Sequence, residues 1–303
     1  MITSSLPRDN GEAWSYEAAF SRNLGLIDER EQDRLRHARV AIAGQGGVGG
    51  VHLVTLARMG IGRFTIADPD TFETANTNRQ FGALRSAVGG NKAEVMAGLA
   101  RDVNPELEIH VMPVAVEAHN QDDFLRGADV LVDGLDAFEL PARRRLFTRA
   151  AELGIPTITA GPIGFSTAWL VFDPDGMTFD EYFDFHGDMD PDEMFAAFVA
   201  GLVPEATQRD YLDPDYVDVE ARTGPSVAAS CQLAAGVVGG EVAKLLLGRG
   251  EVRPVPCYSQ FDPFVGRLVR GRLANGNRGP LQRVKRKLIL NHLRRLREGR
   301  LSD

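Results

Sequence analysis

Cysteine is scarce: Cys231 and Cys257 are the only two in 303 residues. Two thiols exclude a disulfide framework and point to a reducing compartment. The six histidines show no metal-ligand spacing, and no Ser-His or Cys-His pair suggests a hydrolase dyad. No uninterrupted apolar run reaches the roughly 18 residues of a membrane-spanning helix. The N-terminal "MITSSLPRDNGEAWSYEAAF" lacks the apolar core of a signal peptide. Positive charge is also short, with 34 Lys and Arg against 42 Asp and Glu and a net charge of −8. That argues against general nucleic-acid binding, though not against a local basic patch. A soluble cytoplasmic protein is expected. What remains, 44% apolar and 25% charged residues, is ordinary globular composition, enough for one large α/β domain or two smaller ones.

Strand and helix patterns alternate through about residue 161, the pattern of a Rossmann-like doubly wound sheet with helices on both faces. "RVAIAG" (39–44) reads as a buried parallel strand, "RFTIADPD" (63–70) as a second, "EIHVMPV" as a third, "ADVLVDGLD" (128–136) as a fourth and "IPTITAG" as a fifth. A helix is predicted from about Gly47 and another over 92–105, stopped by Asn104-Pro105. "FSTAWLVFDP" extends the sheet as a mixed or antiparallel element. Residues 39–172 thus form the nucleotide-binding unit, preceded by an arm and short helices over 1–38. Residues 173–225 are acidic and aromatic and read as an inserted lid or substrate platform with one short helix near 193–202. Residues 226–272 return to the main domain with a long Ala/Gly-rich helix (227–248) and a closing hairpin. The tail, 273–303, is a basic amphipathic helix. Its safer reading is a solvated face over a buried Leu/Ile stripe, against binding of nucleic acid or an acidic partner.

The chemistry begins at "GQGGVGG" (44–50), between the first strand and its helix. Gly44, Gly46 and Gly49 match G-x-G-x-x-G, and Gly47 and Gly50 add room. Missing side chains let backbone N–H groups approach a phosphate at a helix N-terminus. Asp68, at the end of the next strand, stands where a carboxylate grips ribose hydroxyls. The loop alone fits NAD or ATP, and a packing turn is the bland alternative.

A second constellation separates them. "DPDTFETANTNRQF" supplies Asp68, Asp70, Asn76, Arg79 and Gln80, and Lys92 follows in "GGNKAE". A triphosphate needs such cations when pyrophosphate leaves, whereas hydride transfer does not. "DVLVDGLDAF" places Asp133 and Asp136 at the mouth of the fourth strand. Asp133 suits a structural role, and Asp136 is the better Mg²⁺ ligand. Among weaker candidates, His52 reads as satisfied core or interface. Cys231 reads as a small core residue, with a reactive thiol near a helix start as the alternative. Cys257 reads as structural.

In these stretches, together with "YEAAFSRNLGL", "GGNKAEVMAGLARDVNP" and "GVVGGEVAKLLLG", the chain resembles the ThiF/MoeB/HesA family, relatives of ubiquitin-activating enzymes. The likeness spans about 20–170 and 225–270. It implies Mg-ATP-dependent adenylation of a carboxylate, usually the C-terminus of a ubiquitin-like or sulfur-carrier protein. By the resemblance Gly44, Gly46 and Gly49 line the nucleotide and Asp68 holds the ribose. Asn76, Arg79 and Lys92 meet the phosphates, and Asp136 holds magnesium. Arg22, in "FSRN", falls where the family has an arginine that reaches the partner subunit's ATP, which implies a homodimer. The chain departs from the family in two ways. Many relatives carry two C-x-x-C pairs on a structural zinc, which two cysteines cannot reproduce, so no zinc is expected. The asparagine that usually follows the magnesium aspartate is Ala137. A nicotinamide-dependent oxidoreductase and a nucleotide-binding scaffold without catalysis are the rival readings.

Overall fold

A computed structural model describes residues 13–187, 189–218 and 220–300. Residues 1–12 of the expected arm and 301–303 of the tail lie outside them. The helices are α1 (Tyr16–Phe20), α2 (Glu29–His37), α3 (Gly49–Arg58), α4 (Lys92–Val103), α5 (Gln121–Phe124), α6 (Leu140–Glu152), α7 (Phe179–Phe183), α8 (Pro191–Leu202), α9 (Ala228–Leu247) and α10 (Pro280–Arg300). The strands are β1 (Arg39–Ala43), β2 (Arg63–Ala67), β3 (Glu108–Met112), β4 (Val130–Asp133), β5 (Thr157–Ile163), β6 (Ser166–Phe172), β7 (Cys257–Asp262) and β8 (Arg267–Arg272).

Strand alternation explains the layers. In β1, Val40 and Ile42 enter a core with α3, α4 and α9, while Ala41 and Ala43 enter a second core on the opposite face. In β6, Trp169 and Val171 face the first core, and Ala168, Leu170 and Phe172 face an aromatic cluster with α7, α8 and α10. Both faces are covered, so the central strands read as continuous apolar runs.

Among the described residues the strands form one sheet in the order β3-β2-β1-β4-β5-β6-β7-β8. β1 to β5 are parallel, and β6, β7 and β8 continue the sheet in antiparallel pairs. The fold is the expected α/β sheet with an antiparallel extension. The chain leaves β1 toward β2 and β3, then returns to the other side through β4. That reversal puts a crevice between the carboxyl ends of β1 and β4, where open α/β sheets bind ligands.

Three details differ from the sequence reading. Helix α3 starts at Gly49, because the residues before it are spent on the loop. Among the described residues the inserted segment holds two α-helices rather than one, followed by 3-10 turns over Thr207–Asp210 and Pro214–Tyr216. The overlooked α7 is only five residues long but carries a full capping box from Thr178 to Glu181 and buries Phe179, Tyr182 and Phe183. Helix α9 is long and apolar enough, by length and composition, to cross a membrane, yet half of its most apolar stretch is buried inside the fold.

Candidate functional site

The glycine loop is shaped by close backbone approach. Gly44 has a φ of +86°, a left-handed conformation that favours glycine, and a Cβ there would strike the carbonyl of Gly134. A Cβ on Gly49 would strike the carbonyl of Gly44. The nucleotide loop and the loop after β4 therefore touch backbone to backbone through Gly44, Gly49 and Gly134. Gly46 and Gly47 face side chains instead: a Cβ would lie 3.7 Å from Gln80 Nε2 in the first case and 3.4 Å from Cys231 Sγ in the second.

Asp68 closes β2 and is nearly buried. Its Oδ2 accepts the Gln45 amide at 2.6 Å and its Oδ1 accepts the Asp70 amide at 2.8 Å. Burial pushes its carboxyl above the usual carboxylate range, opposed by those two N–H bonds and by Lys92. Lys92, itself buried, donates to Asp70 Oδ2 at 3.0 Å. Asn91 caps α4 through Glu94 N and donates to the carbonyls of Asp68 (3.0 Å) and Asp70 (3.2 Å). Asn91 thus fixes where Lys92 enters the site. Its N-cap position before a helix was the sequence signal for it, and the reading passed over it.

Gln80 is buried and its Oε1 has no hydrogen-bond partner, as is also true of Gln45 Oε1 in the loop. An unpartnered buried amide costs stability unless something occupies its acceptor. Arg79 is half-buried and donates to the Ala75 carbonyl at 3.1 Å and to Asn78 Oδ1 at 3.0 Å. Asn76 spends its Oδ1 on the Glu73 amide at 3.0 Å, closing the turn that carries Arg79.

Asp133 and Asp136 part company. Asp133 is buried and accepts Arg143 Nε at 2.7 Å, Thr159 Oγ1 at 2.7 Å and the Leu135 amide at 3.1 Å. Arg143 Nη2 then donates to the carbonyls of Leu135 (2.7 Å) and Asp136 (3.1 Å). This buried pair holds the loop whose exposed end is Asp136, with Asp136 Oδ1 accepting the Phe138 amide at 3.0 Å. Arg143 was missed, because one arginine in "ARRR" carries no signal of its fold partner.

The sequence candidates gather at one sheet edge with the exception of Arg22. That residue is exposed on a turn over Ser21–Asn23. The neighbouring Asn23 bonds Gln32 and the Met59 carbonyl, at the C-terminal end of α3. The glycine loop is at the other end of α3, roughly 15 Å away by helical rise. Cys231, in the first turns of α9, is core, and burial pushes its thiol up despite the nearby Arg79. His52 is core as well, but not satisfied: neither ring nitrogen has a partner, and burial lowers its pKa to about 3.

The signature described as the ThiF family matches residues 20–279. The chain belongs to the ThiF family. The tRNA threonylcarbamoyladenosine dehydratase of Haemophilus influenzae is 32% identical over 48% of this chain and 56% of the relative. The adenylyltransferase/sulfurtransferase MoeZ of Mycobacterium tuberculosis is 29% identical over 82% of this chain and 59% of the relative. This ThiF-family chain therefore spans little more than half the length of the curated relatives it matches. The crystal structure of E. coli MccB with ATP superposes with a TM-score of 0.64 at 19% identity, covering 84% of this chain and 70% of MccB. That likeness establishes the fold.

Proposed function

We propose that the protein adenylates a carboxylate with Mg-ATP, the carboxylate being the C-terminus of a ubiquitin-like or sulfur-carrier protein or of a peptide. One observation carries the reading. The glycine loop, Asp68, Asp70, Lys92, Arg79 and the unpartnered Gln80 amide converge on the crevice between β1 and β4, with the Asp136 loop packed against them through Gly134. Cations and a second carboxylate at the phosphate end suit a triphosphate, and a hydride-transfer site would leave them idle.

The substrate carboxylate is already a nucleophile at neutral pH, so no protein base is needed. Its oxygen attacks the α-phosphorus, the bond from that phosphorus to the bridging oxygen breaks, and pyrophosphate leaves. The backbone N–H groups at the start of α3 orient the phosphates, Asp68 takes the ribose, and Arg79 and Lys92 offset charge on the departing pyrophosphate. In the present state Lys92 is held by Asp70, which keeps its ammonium at the phosphate end of the crevice. Among the described residues no group of three or more His, Cys, Asp or Glu could hold a metal ion alone. Asp136 is a single exposed carboxylate, which fits Mg²⁺ arriving on phosphate oxygens rather than in a protein cage. The ion would supply charge neutralisation at those oxygens. Arg22, remote from its own glycine loop, suits a homodimer in which it serves the partner's site.

Pyrophosphate–ATP exchange with candidate carriers and peptides tests the reading. Exchange that is abolished in Asp136→Ala, with the melting temperature unchanged, is expected. No exchange with any carrier, together with thermal stabilisation by NAD rather than Mg-ATP, would overturn it.

A further inference from the structure

The sheet ends in an open edge. β8 pairs with β7 on one side, and among the described residues no strand lies beyond it. The register fixes which of its groups face outward. Arg267 lies opposite Asp262 and Arg272 opposite Cys257, and just past the strand the Leu273 amide donates to the Pro256 carbonyl at 2.8 Å. Hydrogen-bonded pairs alternate with open ones in an antiparallel ladder. Val269 and Gly271 therefore spend their main-chain groups on β7, while the N–H and C=O of Leu268, Arg270 and Arg272 point away from it. None of those outward groups has a partner among the described residues.

The same three residues share one face of the strand, opposite Val269, which packs on the aromatic cluster. Leu268 is 56% exposed and lies across from Phe261 of β7. Arg270 and Arg272 are exposed, and neither makes an ion pair or a side-chain hydrogen bond among the described residues. Arg267, at the start of the strand, is equally free. The tail differs: Arg286, Arg294 and Arg297 of α10 pair with Asp184, Asp190 and Asp192 of the insert. The fold consumes the charge of the tail and leaves that of β8 unused.

We infer that the outer edge of β8 docks an extended acidic segment of a partner polypeptide, which adds to the sheet as a further strand and sets carboxylates beside Arg270 and Arg272. The edge selects this occupant by two properties together. Its N–H and C=O groups alternate, so a strand satisfies both, whereas a phosphate backbone only accepts and would meet the carbonyls as well. A helix spends its main-chain groups internally and can use neither. A second β8 would bring the arginines of the two copies together, which is destabilising. The charge that keeps copies of this chain from pairing edge to edge is the charge that attracts a strand of opposite sign. The inference is independent of the adenylation reading.

The probe is a synthetic peptide of about eight residues, with two Glu and one Ile at alternate positions on one face to meet Arg272, Arg270 and Leu268, and Thr between them. It is mixed with the full chain and followed by fluorescence anisotropy and by amide hydrogen exchange. Binding is expected, with exchange at Leu268, Arg270 and Arg272 slowed at least about tenfold and Val269 and Gly271 changed less. Binding should weaken at least about tenfold in Arg270→Glu/Arg272→Glu, whose melting temperature should match the wild type because both side chains are exposed and unpaired. A similar loss should follow methylation of the peptide nitrogens that face β8, which removes main-chain donors and keeps the charges. A peptide with Lys in place of Glu should not bind. Failure of the acidic peptide to bind at about 1 mM, or equal binding by the double variant or by the methylated peptide, overturns the inference. So does tighter binding of a single-stranded oligothymidylate than of the peptide, or self-association that the double variant loses in sedimentation, since either names a different occupant.

Discussion

The half of the molecule around β1 to β4 and the half built from the insert and tail are held together by different means. The first half packs Val, Ile, Leu and Ala on both faces of parallel strands, so backbones approach each other closely. Its deepest polar groups are buried and mutually dependent, as in Asp133, Arg143 and Thr159. The second half packs rings: Phe147, Phe172, Phe179, Tyr182 and Phe183 interleave at centroid distances such as 4.7 Å for Phe179–Phe183 and 5.2 Å for Phe147–Phe172. Its charges pair near the surface between insert and tail. The two meet where Arg143 lies under the Phe198 ring of α8, 4.8 Å from its centroid. Close backbone approach and buried charge give the first half precision and little tolerance. Large rings and exposed ion pairs give the second half tolerance.

Arg143→Met tests that contrast most severely. It leaves the buried Asp133 carboxylate without its partner and the Asp136 loop without its tether, for an expected loss of about 3–5 kcal/mol in chemical denaturation. Next comes Gly49→Ala. With no room for a Cβ beside the Gly44 carbonyl, the loop must shift, at about 1–3 kcal/mol, and exchange activity should fall to background. A loss confined to one of these two readouts would show that the loops are not coupled as described.

His52 gives an effect that is absent at neutral pH and grows only in acid. The unfolded imidazole takes a proton near 6.5, and the folded one not until about 3. Between those values the unfolded state binds more protons, so stability falls as pH falls, by up to about 1.4 kcal/mol per pH unit. His52→Leu should flatten the slope of denaturation free energy between pH 6.5 and 4, and an unchanged slope would place the titration elsewhere. The smallest effect belongs to the second half. Arg294, with its side chain half-exposed against Asp190 and Glu193, should cost under about 1 kcal/mol when changed to Ala, and less at high salt. A cost comparable to that of Arg143→Met would erase the distinction between the halves.

Much of the first half could be read before folding. Strands buried on both faces leave continuous apolar runs, as in "RVAIAG", and a loop closed by backbone contact leaves glycines at fixed offsets. Lys92 stood out because it follows the polar cluster after the second strand, where a triphosphate needs cations. The second half was harder. Helix α7 is one turn and a half long, too short for any periodicity to register, and its boundary signal is only the Thr178–Glu181 box. The charge match between insert and tail was out of reach, since Asp184 and Arg286 are separated by a hundred residues that say nothing about their approach. Arg143 was hidden differently: it is only ten residues from Asp133, but one arginine in "ARRR" carries no mark of the carboxylate it meets.

The sequence by itself determined the alternation of strands and helices through the fifth strand, the glycine loop and the family, because each rests on local spacing: alternation and glycine offsets. Only the tertiary structure supplied the partners, Arg143 and Thr159, that make Asp133 the buried strut the sequence reading anticipates. It alone left Gln80 unpartnered beside the loop, set Arg22 at the far end of α3, and left the outer edge of β8 open. Those outcomes depend on which distant surfaces meet and which groups lose water when they do. A linear pattern does not encode that.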